Sequence, residues 1–228
     1  PCIGSRCPMA QMLTADQVRL WKQRYPKTPV VLYVNTLAEA KAECDVCCTS
    51  ANAVKIVDAL RAETVLFGPD RNLAEYVQEK TGTTVIPIPP HGFCPTHILF
   101  MKDDIVKQKQ KNPDAVVAAH PECPQPVRNV ADFVGSTSQI CRYANTSTAE
   151  KLIIATEIGI LHKLRKENPN KRFLAAYGGA VCRAMKLTTL ERLYRSLKEE
   201  HNVVTVPDTV AKKASEALNR MFTLTDMT

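Results

Sequence analysis

No stretch of this 228-residue chain is apolar for long enough to cross a bilayer, and no basic-then-apolar leader opens it. Both absences point to a cytoplasmic protein rather than a membrane or secreted one. Aromatic residues are scarce at 6%, and they do not interleave with the basic ones. A nucleic-acid surface needs clustered Lys and Arg with aromatics for base stacking. Here runs such as Lys107-Gln-Lys-Gln-Lys111 read as polar helix faces. The net charge of +7 is therefore expected to be solvated surface, whose positive field also suits a small anionic substrate. The cysteine count of nine is odd, and the chain is long enough to build a core without staples, so a disulfide framework is excluded. Thiols or thiolate ligands in a reducing compartment fit better. The rest of the composition, 45% hydrophobic and 23% charged, is that of an ordinary globular protein with one large domain or two small ones.

What the chain does have is a repeat. Cys7, Cys94 and Cys182 each open a copy of one pattern. Cys7-Pro-Met-Ala leads to Tyr33-Val-Asn35, and at the same spacing Cys94-Pro-Thr-His leads to His120-Pro-Glu122. Asp45 matches Asp132, and Ser50 matches Thr137. Apolar runs match as well: Thr64-Val-Leu-Phe with Lys151-Leu-Ile-Ile, and Val85-Ile-Pro-Ile with Phe173-Leu-Ala-Ala. After Cys182, Thr188-Thr-Leu-Glu191 echoes Thr14-Ala-Asp-Gln17, and the chain soon ends. Cysteines held in register across repeats are expected to meet at one point.

Within each copy, helical and strand patterns alternate. Thr14 and Gln17 form a capping box ahead of a helix through Val18, Leu20 and Trp21. Residues 29–34 are a nearly continuous apolar run, the mark of a strand covered on both faces. Short helices are predicted at 38–43 and from about Ser50 through Leu60, then strand 65–67, helix 73–79 and strand 84–88. The second copy gives helix 104–111, strand 115–119, a helix after Thr137, strand 152–155, helix 159–167 and strand 172–175. Strands alternating with helices imply parallel α/β units. The expected fold is α/β: repeated three-layer α/β/α units with short parallel sheets around a pseudo-threefold axis. Residues 1–6 resemble the tail of an earlier unit, 7–93 and 94–181 are two complete units, and 182–228 is a C-terminal segment. The expectation is that one unit is missing upstream and that residues 182–228, including a helix over 211–221, pack with it.

The cysteines fall at strand ends, where α/β folds gather ligand sites. Three thiolates from three segments can hold a [4Fe–4S] cluster, which ordinarily has four. One iron then keeps an open position and can act as a Lewis acid toward a hydroxyl or carboxylate. A rival site is Cys44-Asp-Val-Cys47-Cys48, a local metal or redox module. Its repeat counterpart around Asp132 has no cysteine and no second pair lies at zinc spacing, so these thiols read as buried side chains. His120 and Glu122 follow a strand and can serve as acid and base, converging with Tyr33 and Asn35. His97 remains an accessory candidate. The helix starts after Cys48 and at Gly135 offer hydroxyls and free amides to an anion, although plain N-capping explains each alone.

Taken together, Tyr33-Val-Asn-Thr, the stretch from Ala40 to Asn52, His120-Pro-Glu-Cys123, Gly135-Ser-Thr137, residues 156–162 and Met185-Lys-Leu-Thr-Thr-Leu-Glu191 resemble quinolinate synthases. These are the iron–sulfur enzymes of bacterial and archaeal NAD biosynthesis. The resemblance covers nearly the whole chain and implies three similar α/β/α domains with one cluster cysteine from each. It implies condensation of iminoaspartate with dihydroxyacetone phosphate to quinolinate, and functional coupling to L-aspartate oxidase or aspartate dehydrogenase. It places the [4Fe–4S] ligands on Cys7, Cys94 and Cys182, and substrate contacts on Tyr33, Asn35, Ser50, His120, Glu122 and Thr137. Glu122 is the candidate for proton transfer, with Tyr33 and His120 assisting. The family's N-terminal domain, which supplies further substrate groups, has no counterpart here, so the chain alone is expected to be nearly inactive.

Overall fold

The computed structural model describes residues 1–226. Each half of the chain folds around a wholly parallel four-stranded sheet. The first comprises β1 (Val30–Tyr33), β2 (Val46–Cys48), β3 (Thr64–Gly68) and β4 (Thr84–Pro87), in the order β2-β1-β3-β4. The second comprises β5 (Val116–Ala119), β6 (Phe133–Val134), β7 (Lys151–Ala155) and β8 (Arg172–Ala175), in the order β6-β5-β7-β8. The two orders are the same permutation, so the sequence repeat is a repeat of topology. Both sheets are open.

Helices connect the strands. The first unit has α1 (Ala15–Arg24), α2 (Ala38–Lys41), α3 (Ala53–Leu60) and α4 (Arg71–Thr81). The second has α5 (Lys102–Lys111), α6 (Gln125–Arg128), α7 (Thr137–Thr146) and α8 (Ile160–Glu167). After them come α9 (Arg183–Lys186), α10 (Leu190–Glu199) and α11 (Asp208–Asp226). Successive strand residues point to opposite faces, and each unit accordingly has two apolar layers. In the first, Val31 and Phe67 meet Ile56 and Leu73 on one side, while Val30, Leu32 and Leu66 meet Leu13 and Val18 on the other. In the second, Val117 and Ile153 join Ile105 and Val127, while Ala118, Leu152 and Ile154 join Ile140 and Leu164.

Local chemistry sets the element boundaries. The Thr14–Gln17 capping box opens α1, a second box formed by Ser136 and Gln139 opens α7, and Thr189 caps α10 by accepting the Arg192 N–H. The matched aspartates fix strand register. Asp45 Oδ2 accepts the Val30 N–H and Asp132 Oδ2 the Val117 N–H, each at 2.7 Å. The backbone N–H of each aspartate returns to the carbonyl of the same valine. Their lysine companions are matched too, Lys22 at 4.0 Å from Asp45 and Lys109 at 3.9 Å from Asp132.

Several elements differ from the sequence reading. β2 and β6 lie in stretches to which the sequence assigns no element, because runs of three and two residues carry no readable period. The helix expected near Ser50 starts at Ala53, since Asn52 Oδ1 accepts the Thr49 N–H at 2.6 Å and forms a turn first. The C-terminal helix is longer than 211–221. It lies on the first unit, with Ala217 and Met221 in that unit's core. The units are tied together by Arg128 of α6, whose side chain is 2% exposed. It donates to the Asn72 and Cys123 carbonyls and pairs with Glu79 of α4 at 2.9 Å.

Candidate active site

Both parallel sheets present the C-terminal ends of their strands to the same region, which is where loops and helix N-termini leave polar groups free. β1 ends at Tyr33, and the chain leaving β5 begins with His120. The turn after Cys94 supplies His97, and Thr156 follows β7. The site is thus assembled from both units.

Its centre is Glu122, a buried carboxylate. Oε2 lies 2.8 Å from His97 Nδ1, and His97 Nε2 lies 2.9 Å from Thr156 Oγ1. With Glu122 ionised, Nδ1–H donates to the carboxylate and Nε2 accepts from the threonine hydroxyl. The Tyr33 phenol lies near enough to Glu122 and Ser50 for both to act on its ionisation. His120 stacks on His97 with ring centroids 4.4 Å apart and planes 13° off parallel. Its Nδ1 accepts the Glu122 backbone N–H at 3.2 Å, which leaves the ring proton on Nε2.

Burial dominates the electrostatics. It raises the Tyr33 phenol far above its ordinary range, and the adjacent Glu122 charge raises it further. It lowers His120 to about 3, with neighbouring His97 adding to the shift, so His120 is neutral near pH 7. Burial by itself would raise Glu122. The adjacent imidazoles of His120 and His97, with hydrogen bonds from His97 and Tyr33, outweigh burial and hold the carboxyl below the usual range. Because His120 is neutral, the hydrogen bonds are the part of that stabilisation that counts. The result is a neutral phenol and a neutral imidazole beside a hydrogen-bonded carboxylate.

The three repeat cysteines are half-buried and unpaired. Glu122 lies near enough to Cys7 and Cys94, and Cys182 near enough to Cys7, for each to act on the other electrostatically. Burial raises the Cys7 and Cys94 thiols, while backbone N–H groups two and three residues onward oppose it: Met9 and Ala10 for Cys7, Thr96 and His97 for Cys94. Such thiols are protonated at neutral pH until a metal displaces the proton. Donor atoms of Cys94, His97 and Glu122 lie within 4.8 Å of one another, a grouping able to hold a metal ion. The donor set, three thiols from three segments beside a carboxylate and a histidine, fits an iron–sulfur group.

The remaining expected residues are less concentrated. Ser50 is half-buried beside Tyr33, whereas Asn35 is exposed in the bend after β1. Thr137 is exposed at the first position of α7 and lines a hollow between α7 and α8 with Cys141, Arg142 and Lys163. Its helix approaches the Ser50 turn through Gln139 Nε2, which donates to the Ala51 carbonyl at 3.5 Å. The rival cysteines do not converge. Cys44 and Cys47 have their sulfurs 3.9 Å apart, but Cys48 is the next residue to Cys47 on β2 and points to the opposite face.

The sequence reading gave His97 only an accessory place and missed Thr156. The first unit has Ala10 and Pro69 at the corresponding positions, so comparing the repeats gave no signal for either.

Comparison with known proteins is consistent with this geometry. A family model described as quinolinate synthetase A protein matches residues 1–223. A quinolinate synthase of Alkaliphilus metalliredigens is 47% identical over 222 residues, covering 97% of this chain and 73% of its own length. One of Methanothermobacter thermautotrophicus is 48% identical over 226 residues, covering 99% and 74% respectively. One of Thermotoga maritima is 46% identical over 224 residues, covering 98% and 74%.

Proposed function

The chain belongs to the quinolinate synthase family of enzymes, and from that premise we propose that it condenses iminoaspartate with dihydroxyacetone phosphate to give quinolinate. One phosphate and two waters leave, which balances the atoms of the two substrates against the product. The observation that carries this reading is the buried Tyr33–Glu122–His97 group, built from both units beside the three cysteines. Cys7, Cys94 and Cys182 would hold the [4Fe–4S] cluster, which would supply Lewis-acid chemistry to the site.

The chain's own residues do the rest. Glu122, ionised in the resting site, accepts a proton from the carbon or nitrogen that must lose one, and His97 holds the carboxylate in place. Tyr33, kept neutral by burial, donates its hydroxyl proton toward the intermediate and can be reprotonated through Glu122. His120, with its proton on Nε2, orients a carboxylate or carbonyl oxygen as a neutral donor. Ser50 and Thr137, each near the start of a helix, bind phosphate or carboxylate oxygens, and Asn35 contributes an amide to the same substrate. The unstable imine is supplied by an enzyme that oxidises aspartate, either an L-aspartate oxidase or an aspartate dehydrogenase. The setting of this chemistry is the cytoplasm, and among the described residues no helix is long and apolar enough to cross a membrane.

The domain reading is part of the same proposal: residues 7–93 and 94–181 are two units of a three-unit enzyme, and 182–228 carries a docking surface for the third. The support is α10, whose Leu190 and Leu197 are 84% and 72% exposed, with Leu193 and Tyr194 on the same stripe.

Anaerobic reconstitution with iron and sulfide tests the reading. Wild type should hold about four irons per chain with visible absorption, and Cys182→Ser should lose both. Equal iron in the two proteins would sink the three-cysteine assignment.

A further inference from the structure

Two acids unused by the reaction sit where each unit hands the chain to its next cysteine. Asp70 follows β3 and Glu157 follows β7, at the same step of the repeat as Cys7 and Cys94. Asp70 is fully buried. Its Oδ2 accepts the backbone N–H of Cys94 and its Oδ1 that of Leu73, both at 2.8 Å. Glu157 repeats the arrangement: Oε1 accepts the Cys182 N–H at 3.3 Å and Oε2 the Gly159 N–H at 2.7 Å. A backbone bond beside each acid closes the connection. Arg71 N–H reaches the Gly92 carbonyl at 2.9 Å, and Ile158 N–H reaches the Ala180 carbonyl at 3.0 Å. In both units, therefore, the residue after the acid grips the carbonyl two positions before the cysteine, while the acid grips the cysteine itself.

Helix capping accounts for only half of this. One carboxylate oxygen of each acid serves the start of the following helix, and the other is committed to a cysteine more than twenty residues away in sequence. The chain pays close attention to this approach: at Gly92 a Cβ would lie 1.8 Å from the Pro69 carbonyl oxygen, so only glycine lets the loop come so near Asp70. Lys186, at 3.4 Å from Glu157 Oε1, extends the same anchor into α9.

We propose that Asp70 and Glu157 are positioning residues that fix the backbone of cluster ligands Cys94 and Cys182, an inference that rests on the three-cysteine reading above. Groups one step behind metal ligands commonly account for 10–100-fold in metal affinity, and a ligand set functions only when held within about 0.5 Å of its working geometry.

The test compares Asp70→Asn and Glu157→Gln with Asp45→Asn and Asp132→Asn. Each amide presents an NH2 group to one of the N–H donors its acid served, so one bond is lost without change of shape. Asp45 and Asp132 make the same kind of bond at the opposite ends of the strands and control for general loosening. After anaerobic reconstitution, release of iron to a chelator should be about tenfold faster or more in the first pair and unchanged in the second. In the iron-free chain, alkylation by iodoacetamide, resolved by mass spectrometry, should speed up at Cys94 alone in Asp70→Asn and at Cys182 alone in Glu157→Gln. Unchanged release and unchanged alkylation would overturn the inference, as would equal acceleration at every cysteine. If wild type takes up no iron, the cluster assignment fails, and the alkylation pattern still decides whether the acids hold these two loops.

Discussion

The two units carry the same scaffold and different chemistry. Asp45 and Asp132, and Asp70 and Glu157, occupy matched positions and make matched bonds to backbone, and Lys22 and Lys109 pair with the first two acids in the same way. At the strand ends the match is abandoned: Tyr33 stands opposite His120, Asn35 opposite Glu122, and Ala10 opposite His97. A duplicated fold kept the groups that satisfy its own backbone and diversified those at its strand ends. A buried backbone N–H needs the same acceptor in every copy, whereas a reaction needs a donor and an acceptor that differ in pKa.

That division can be broken at its chemical side first. Glu122→Gln keeps shape and burial but removes the ionised acceptor. Quinolinate formation, followed by rate, should fall about 100-fold or more, with the melting temperature near that of wild type. Loss of the fold along with activity would move Glu122 to the scaffold side. A smaller effect is expected from the scaffold itself. Asp45→Ala and Asp132→Ala each remove a partly solvent-screened hydrogen bond to a strand N–H and should cost about 1 kcal/mol in denaturant unfolding. The equivalence of the units predicts similar costs for the two, and a large imbalance would refute it.

The smallest effect is a dependence on pH. His120 has a folded pKa of about 3 against an ordinary 6.5, so between those values the unfolded chain binds a proton that the folded chain does not. Stability therefore falls as pH drops through that window and is insensitive to this group above it. Its counterpart Tyr33 does not titrate there. His120→Asn should flatten the acid limb of the stability curve relative to wild type, while Tyr33→Phe should leave that limb's slope unchanged.

Most of the fold was legible because it was written twice. The apolar runs of β1, β3, β5 and β7 and the Thr14–Gln17 box carry strong local signals, and the repeat confirmed their order. The edge strands β2 and β6 were not legible, since Asp45 and Asp132 fix them by side-chain bonds that no hydrophobic period reports. The same holds for the site. Tyr33, His120 and Glu122 could be read from their register with one another, and the acids at 70 and 157 share that register and could have been found by it. His97 and Thr156 could not, because each becomes meaningful only when two separate loops bring it against Glu122.

Arg128 gives this division a mechanical side. Tyr33 belongs to one unit and Glu122 to the other, so the spacing between them is a tolerance of the joint. A guanidinium braced against two backbone carbonyls and a glutamate, one of those carbonyls on the residue after Glu122, sets that tolerance. The alignment of the two units is thus held by a residue bonded only to the scaffold, as the trueness of a hinge is held by its pin.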